Sequence, residues 1–142
     1  MSRCFIIDTN VLAAGLITGD RNSPTAQILD AMLAGRLPFL LSPALLDEYR
    51  CVLLRSKRRR VHGLTEADID TILTEIVANA LWRGPPDDRL HTTPDPGDAH
   101  LWALLAMEPT AALVTGDRLL HAHPRPGSTI ISPADCLPLI NP

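Results

Sequence analysis

Four short runs rich in apolar residues recur along the chain, at residues 4–7, 38–41, 112–115 and 129–131. Within each run the apolar residues are nearly continuous and do not alternate with polar ones. This pattern is typical of strands that are covered on both faces, as in a parallel sheet. We therefore predict a short parallel sheet with helices packed on both of its sides.

Helix starts lie between these runs. Three Ser-Pro pairs combine a favourable N-cap with a proline at the first helical position; they are at residues 23–24, 42–43 and 132–133. Thr65, with Asp68 three residues later, begins a longer helix with one apolar face. That face contains Ile69, Ile72, Leu73, Ile76, Val77 and Ala80.

A further helix begins near Asp98 and is apolar almost all round, which predicts a central position. Strands and helices thus alternate, and this order predicts an α/β fold of three layers, with a parallel sheet of about four to five strands flanked by helices. Residues 84–97, with four prolines, form the one long irregular stretch, and loops of that length are often functional.

Composition limits the class of protein. The 142 residues suit a single domain spanning 1–142, and the hydrophobic share of 46% is enough for a packed core. No apolar run approaches the ~20 residues of a membrane span. The start of the chain does not resemble a signal peptide, and three widely spaced cysteines do not suggest a disulfide framework. We expect a cytoplasmic protein with no membrane partner.

Four acidic residues are expected at one edge of the sheet. Asp8 and Asp117 follow predicted strands, and the carboxyl ends of parallel strands form the ligand-binding edge of open α/β sheets. Asp98 opens the central helix, and Glu48 flanks the buried face of the helix that follows residue 42. Each has an alternative role: Asp8 and Asp98 as helix caps, Asp117 in a simple turn, and Glu48 as a solvated helix residue.

The convergence of the four acids favours a metal site over these separate roles. Clustered carboxylates repel one another and raise their pKa values unless a cation neutralises them. Ligands that are all oxygen select Mg²⁺ or Mn²⁺, and such a site can activate water for phosphodiester hydrolysis. The five histidines show no zinc spacing. We expect His62, His91 and His100 at the surface or in loops, and His121 and His123 on a weakly ordered stretch.

Five stretches, at residues 6–12, 40–55, 94–106, 112–120 and 130–137, resemble the PIN domain in the family's order. Within that family the chain is most similar to bacterial toxin components of toxin–antitoxin modules, which are related to VapC. The resemblance implies a PIN-like fold and a Mg²⁺- or Mn²⁺-dependent endoribonuclease. Relatives commonly pair into dimers, which implies a homodimer. The resemblance to toxin components also implies a cognate antitoxin partner.

The resemblance also assigns roles to individual residues. Asp8, Glu48, Asp98 and Asp117 match the metal-binding catalytic acids, the same four that the strand and helix pattern selects. Asn10 and Thr115 match positions that orient the acidic site.

Positive charge is concentrated in residues 50–60, which carry six basic groups and no acid, so that the net charge of −3 conceals +6 here and −9 elsewhere. The candidate RNA-binding residues in this segment are Arg55, Lys57, Arg58, Arg59 and Arg60. The alternatives are a solvated helix end, which the helix dipole favours, or a surface for an acidic antitoxin segment.

Rival enzyme classes lack their required residues. A haloacid-dehalogenase-like phosphatase needs an acid at position 10, where this chain has Asn10. A receiver domain needs a late lysine, and the only lysine is Lys57. The P-loop pattern is absent. The remaining alternative is a non-catalytic PIN-fold module that binds RNA or protein.

Overall fold

Every predicted apolar run contains a strand in the computed structural model of the chain, which describes residues 3–55, 63–84 and 93–140. The strands are β1 (Phe5–Ile7), β2 (Leu40–Leu41), β3 (Leu81–Trp82), β4 (Ala112–Val114) and β5 (Thr129–Ile131). The helices of the described ranges are α1 (Thr9–Ile17), α2 (Pro24–Leu33), α3 (Pro43–Leu54), α4 (Glu66–Asn79), α5 (Ala99–Met107), α6 (Arg118–Ala122) and α7 (Pro133–Ile140), with a 3₁₀ turn at Pro96–Asp98.

The sheet is parallel throughout. Strands β1, β4 and β5 pair in that order, and β2 pairs with β3. A parallel bridge between Phe5 and Phe39 joins the two parts, so the spatial order is β3-β2-β1-β4-β5. This confirms the predicted α/β fold with a short parallel sheet between helices. β1, β2 and β4 are buried, whereas β5 lies at the edge and is only half-buried.

β3 was not predicted, because its two residues are exposed and too few to show an apolar run. Pairing with β2 creates the strand: the Leu81 N–H donates to the Phe39 carbonyl at 2.8 Å, and the Arg83 N–H donates to the Leu41 carbonyl at 2.8 Å. Tertiary contact therefore outweighs the weak local signal here.

The predicted helix starts are confirmed. The hydroxyl groups of Ser23 and Ser42 accept backbone N–H groups of α2 and α3, and the Ser132 hydroxyl accepts from the Asp135 N–H. Thr65 and Asp68 form the reciprocal hydrogen bonds of a capping box at the start of α4. These caps satisfy N–H groups that have no partner within the helix.

Two sequence expectations about side-chain exposure were wrong. Val77 is 42% exposed, because α4 buries mainly Ile69, Leu73 and Ile76 and leaves Val77 at the rim of its contact with α3. His100 was expected at the surface, yet it is buried on α5, whose residues 100–105 are all covered. The central position of α5 forces this burial.

No helix in the described parts of the chain has both the length and the apolar character that a bilayer crossing requires.

Candidate active site

Asp8 lies at the carboxyl end of β1 and is 5% exposed. Its Oδ1 accepts a hydrogen bond from the Thr9 N–H at 2.8 Å, and its Oδ2 accepts one from the Thr115 hydroxyl at 2.6 Å. The pairing of Ile7 with Val114 in the sheet brings the residues that follow them side by side. The carboxylate is therefore held in place from both adjacent strands.

Thr115 links Asp8 to Asp117. The Thr115 side chain is fully buried, and its hydroxyl oxygen also accepts the Asp117 N–H at 3.0 Å. The Asp117 Oδ1 in turn accepts the Leu119 N–H at 2.9 Å and caps α6. Asp117 is thus a helix cap next to the buried carboxylate of Asp8. Residues 118–122 are helical, whereas the stretch with His121 and His123 was expected to be weakly ordered.

Glu48 faces this centre from α3 and is half-buried. Its Oε2 accepts a hydrogen bond from the Thr9 hydroxyl at 2.8 Å and lies 3.2 Å from the His100 Nε2. Because α3 begins directly after β2, its first turns stand beside the carboxyl ends of the strands. The alternative of a solvated helix residue is wrong for Glu48.

Asp98 ends the 3₁₀ turn and precedes α5. It makes no side-chain hydrogen bond that caps α5, whereas the Asp95 Oδ1 accepts the Gly97 N–H at 2.9 Å and caps the turn. The Asp98 side chain therefore does not play the capping role that was its alternative, and the 3₁₀ turn before α5 is capped by Asp95. The Asp98 carboxylate is half-buried and forms no side-chain hydrogen bond to residues in the ranges 3–55, 63–84 and 93–140.

The acids repel one another across the site. Burial, followed by the negative charges of neighbouring carboxylates, raises the pKa of Asp98 to about 6; those neighbours are Asp8, Asp95, Glu48 and Asp117. Burial also raises the pKa of Asp8, and the donors Thr115 and Thr9 act against it. The pKa of Glu48 is lowered, first by its hydrogen bond with His100. The four carboxylates thus share one strongly negative region.

The chemistry of this donor set fits a hard divalent cation, because every candidate ligand is a carboxylate oxygen and the charges repel without a counter-ion. In the conformation described, however, no group of three or more histidine, cysteine, aspartate or glutamate side chains within 3–55, 63–84 and 93–140 is arranged to hold a metal ion. Glu48 and Asp8 are instead engaged with the hydroxyl and N–H donors around them.

The remaining predicted residues are less closely tied to this centre. Asn10 is exposed on the first turn of α1, and its side chain forms no hydrogen bond to the described residues. Arg55 ends α3 and contributes to lowering the pKa of Glu48. Arg50 is engaged in ion pairs with Glu66 and Asp70 of α4. Lys57, Arg58, Arg59 and Arg60 lie outside the described residues.

Three side chains at the centre were not identified from the sequence as functional: Thr9, Tyr49 and His100. The buried Tyr49 hydroxyl donates to the Ile7 carbonyl at 2.5 Å and ties α3 to the end of β1. Tyr49 belongs to the apolar face of α3 by its spacing, so only its hydroxyl pointed to a polar contact. His100 carried a clearer signal, since it is a polar residue in an otherwise apolar helix.

The fold and this centre define an α/β protein with an acidic site at the carboxyl edge of a parallel sheet. The sequence profile of the PIN domain matches residues 5–119, and the chain belongs to the PIN domain family. PIN domains are generally nucleases that use divalent metals and act on nucleic acids. No curated protein and no solved structure gave a significant match.

Replacement of Asp98 by asparagine is expected to stabilise the metal-free protein at pH 7. The folded-state pKa of about 6 lies above the ordinary value of 3.8, so ionisation of Asp98 costs folding free energy as the pH rises through this window. Solvent screening of the half-buried carboxyl reduces the expected gain to about 1 kcal/mol. Urea unfolding without divalent cations at pH 7 and below pH 3.8 should show the gain only at the higher pH.

Asp47→Asn is the matched control, because Asp47 is exposed on α3 and is not among the carboxylates that raise the pKa of Asp98. Its stability should change by less than about 0.5 kcal/mol. Destabilisation of the Asp98→Asn variant at pH 7 would show that its carboxylate is favourably bound and not repelled.

Proposed function

We propose that this protein is a Mg²⁺- or Mn²⁺-dependent endoribonuclease that hydrolyses RNA phosphodiester bonds. One observation carries the proposal: Asp8, Glu48, Asp98 and Asp117 come from four separate segments and lie close enough that, after burial, the charges of Asp8, Glu48 and Asp117 raise the pKa of Asp98. A stable domain tolerates such repulsion most readily where a cation offsets it. Membership of a family of nucleases agrees with this reading.

In this proposal the four carboxylates hold the cation, which supplies a polarised water and neutralises charge on the phosphate. Thr115 orients Asp8, and Thr9 orients Glu48, through the hydroxyl contacts described above. Asn10 keeps the orienting role that the resemblance implies, from its exposed position beside Thr9.

The substrate would be held by the basic segment after α3. Arg55 already lies close enough to influence Glu48 electrostatically, and the four basic residues at 57–60 continue the chain from there. Because phosphate contacts are sequence-independent, this segment would supply affinity and not choice of sequence.

Replacement of Arg58, Arg59 and Arg60 by glutamine in one triple variant is expected to weaken RNA binding and to reduce its dependence on salt concentration. Each phosphate contact to single-stranded RNA contributes about 0.7 to the slope of log K against log salt, so the slope should fall by about 2. Fluorescence anisotropy in EDTA measures this without cleavage. Arg36→Gln, at an exposed site after α2, is the control. An unchanged slope in the triple variant would show that residues 58–60 do not contact RNA and are a solvated surface.

A cleavage assay tests the catalytic proposal. A 5′-labelled transcript with single-stranded and hairpin segments is incubated with purified protein in Mg²⁺, Mn²⁺ or EDTA. Wild type should cut only with a divalent cation, and Asp98→Asn should cut at least about 100-fold more slowly, because it removes a charged ligand. Asp47→Asn should remain close to wild type, since Asp47 is exposed on α3.

A second function has one observation in its favour. The absence of a ready metal-holding group among the described side chains suits a PIN-fold module that binds RNA or protein without cutting. The same assay separates the two functions. RNA binding without cleavage in either cation, or equal cleavage by wild type and Asp98→Asn, would contradict the nuclease.

The cellular part of the proposal comprises a toxin role, a cognate antitoxin and a homodimer, which rest on the resemblance. It also comprises a single cytoplasmic domain over residues 1–142, which rests on length and composition. Induced expression should arrest growth in a bacterial host, and the Asp8→Asn variant should not. Light scattering of the purified protein measures its oligomeric state directly.

A further inference from the structure

His100 is a polar side chain in the most apolar helix of the protein. It is 8% exposed, and the other buried residues of α5 are Leu101, Trp102, Ala103, Leu104 and Leu105. Its Nε2 lies 3.2 Å from the Glu48 Oε2. Its Nδ1 is buried without a hydrogen-bond partner in the described part of the chain. An apolar residue would fill this place without leaving a buried polar atom unsatisfied.

The contact shows which ring nitrogen must carry a proton. A carboxylate only accepts hydrogen bonds, so a proton must be on the Nε2 atom that faces Glu48. The single satisfied nitrogen of His100 is thus the one that faces Glu48. The burial of this side chain is explained by the carboxylate and not by a balanced polar network.

Thr9 donates to the same carboxylate oxygen, at 2.8 Å. Two donors from α1 and α5 therefore meet at Oε2 and fix the rotation of a side chain that would otherwise move freely on α3. Within the described residues, Oε1 of Glu48 accepts no hydrogen bond and is the oxygen left for another ligand.

We propose that His100 is a positioning residue that holds the Glu48 carboxylate ready for a divalent cation. This role rests on the proposed function, because it assigns Glu48 to the cation. His100 itself touches neither the cation nor the RNA. It acts only through Glu48, and this dependence can be measured.

The test measures Mn²⁺ affinity by electron paramagnetic resonance of the free ion. His100→Leu should weaken binding about 10-fold or more, the usual loss when the partner of a metal ligand is removed. His100→Gln places an amide N–H near the position of Nε2 and should stay within about threefold of wild type. His100→Asn, whose amide is too short to reach Glu48, should lose as much as the leucine variant and replaces it if leucine prevents folding.

A double-variant cycle tests whether His100 acts through Glu48. In the Glu48→Gln background, His100→Leu should cause no further loss of Mn²⁺ affinity, because the group it positions is already gone. An equal loss in both backgrounds would overturn the role. His123→Leu, an exposed histidine, is the matched control and should bind Mn²⁺ like wild type.

Two further readouts separate this role from the proposed function. In the metal-free protein, ¹⁵N spectra of the imidazole should show His100 protonated on Nε2, and a proton on Nδ1 instead would overturn the contact. A wild type that binds no Mn²⁺ would overturn the proposed function together with this role. If wild type binds Mn²⁺ and cuts RNA, and the His100→Leu variant binds Mn²⁺ equally well, only the role of His100 is overturned.

Discussion

Replacement of Asp8 by asparagine is expected to reduce RNA cleavage by at least about 100-fold, no less than the loss expected for Asp98→Asn. Asp8 is the most buried of the four carboxylates, and its charge acts on Asp98 as the first of the neighbouring acids. Asparagine keeps the shape and one acceptor oxygen but removes the charge that would bind the cation. Single-turnover rates at several Mn²⁺ concentrations measure the effect.

Asp30→Asn serves as the matched control, because Asp30 is exposed on α2 and its carboxylate pairs with Arg21 at the surface. Circular dichroism should show both variants folded. Cleavage by Asp8→Asn within about threefold of wild type would remove Asp8 from the proposed site. Recovery of part of the activity at high Mn²⁺ would identify the defect as one of metal affinity.

The second large effect is expected on stability, from Thr115→Val. Valine matches threonine in shape but removes the hydroxyl that donates to Asp8 and accepts the Asp117 N–H. Both partners are then left without that contact in or beside a buried centre. Loss of a hydrogen bond to a buried charge costs about 2–3 kcal/mol, which corresponds to a fall in Tm of about 5–10 °C.

This loss should grow with pH. Burial raises the pKa of Asp8, and the hydrogen bond from the Thr115 hydroxyl acts against this increase. Removal of the hydroxyl therefore raises the pKa of Asp8 further. The folded variant then holds its proton to higher pH than folded wild type, while the unfolded chains are alike. The stability of the variant relative to wild type must therefore fall as the pH rises above the ordinary Asp value of 3.8.

Unfolding in urea at pH 4 and pH 7.5 compares the two conditions. Thr115→Ser keeps the hydroxyl and should retain most of the stability and its pH dependence. If Thr115→Val lowers the free energy of unfolding equally at both pH values, the Thr115 hydroxyl contributes by packing and not by its hydrogen bond to the Asp8 carboxylate.

Much of the fold could be predicted because its signals are local. The caps at Ser23, Ser42 and Thr65 act within three residues of themselves, and the buried strands are continuous apolar runs. β3 could not be predicted, since Leu81 and Trp82 become a strand only by pairing with β2. The exposure of Val77 likewise depends on how closely α3 approaches α4, which the periodicity of α4 does not contain.

The acids of the candidate site could be selected from sequence because strand ends and helix starts place Asp8, Asp98 and Asp117 at one edge. The hydrogen bonds that each of these acids makes could not be predicted. Asp98 and Asp95 are similar as helix caps by sequence, and only the structure shows Asp95 capping the turn while Asp98 makes no cap. His100 was expected at the surface or in a loop, and only the structure shows that it is buried beside Glu48.

The sequence by itself determined the order of strands and helices apart from β3 and α6, the starts of most helices, and the choice of the four candidate acids. Each of these depends on residues a few positions apart. The tertiary structure decided which side chains orient the acids, because those contacts join distant residues: Thr115 to Asp8 across 107 positions and Thr9 to Glu48 across 39. Such contacts arise only when strand pairing and helix packing bring the segments together, and no local pattern encodes them.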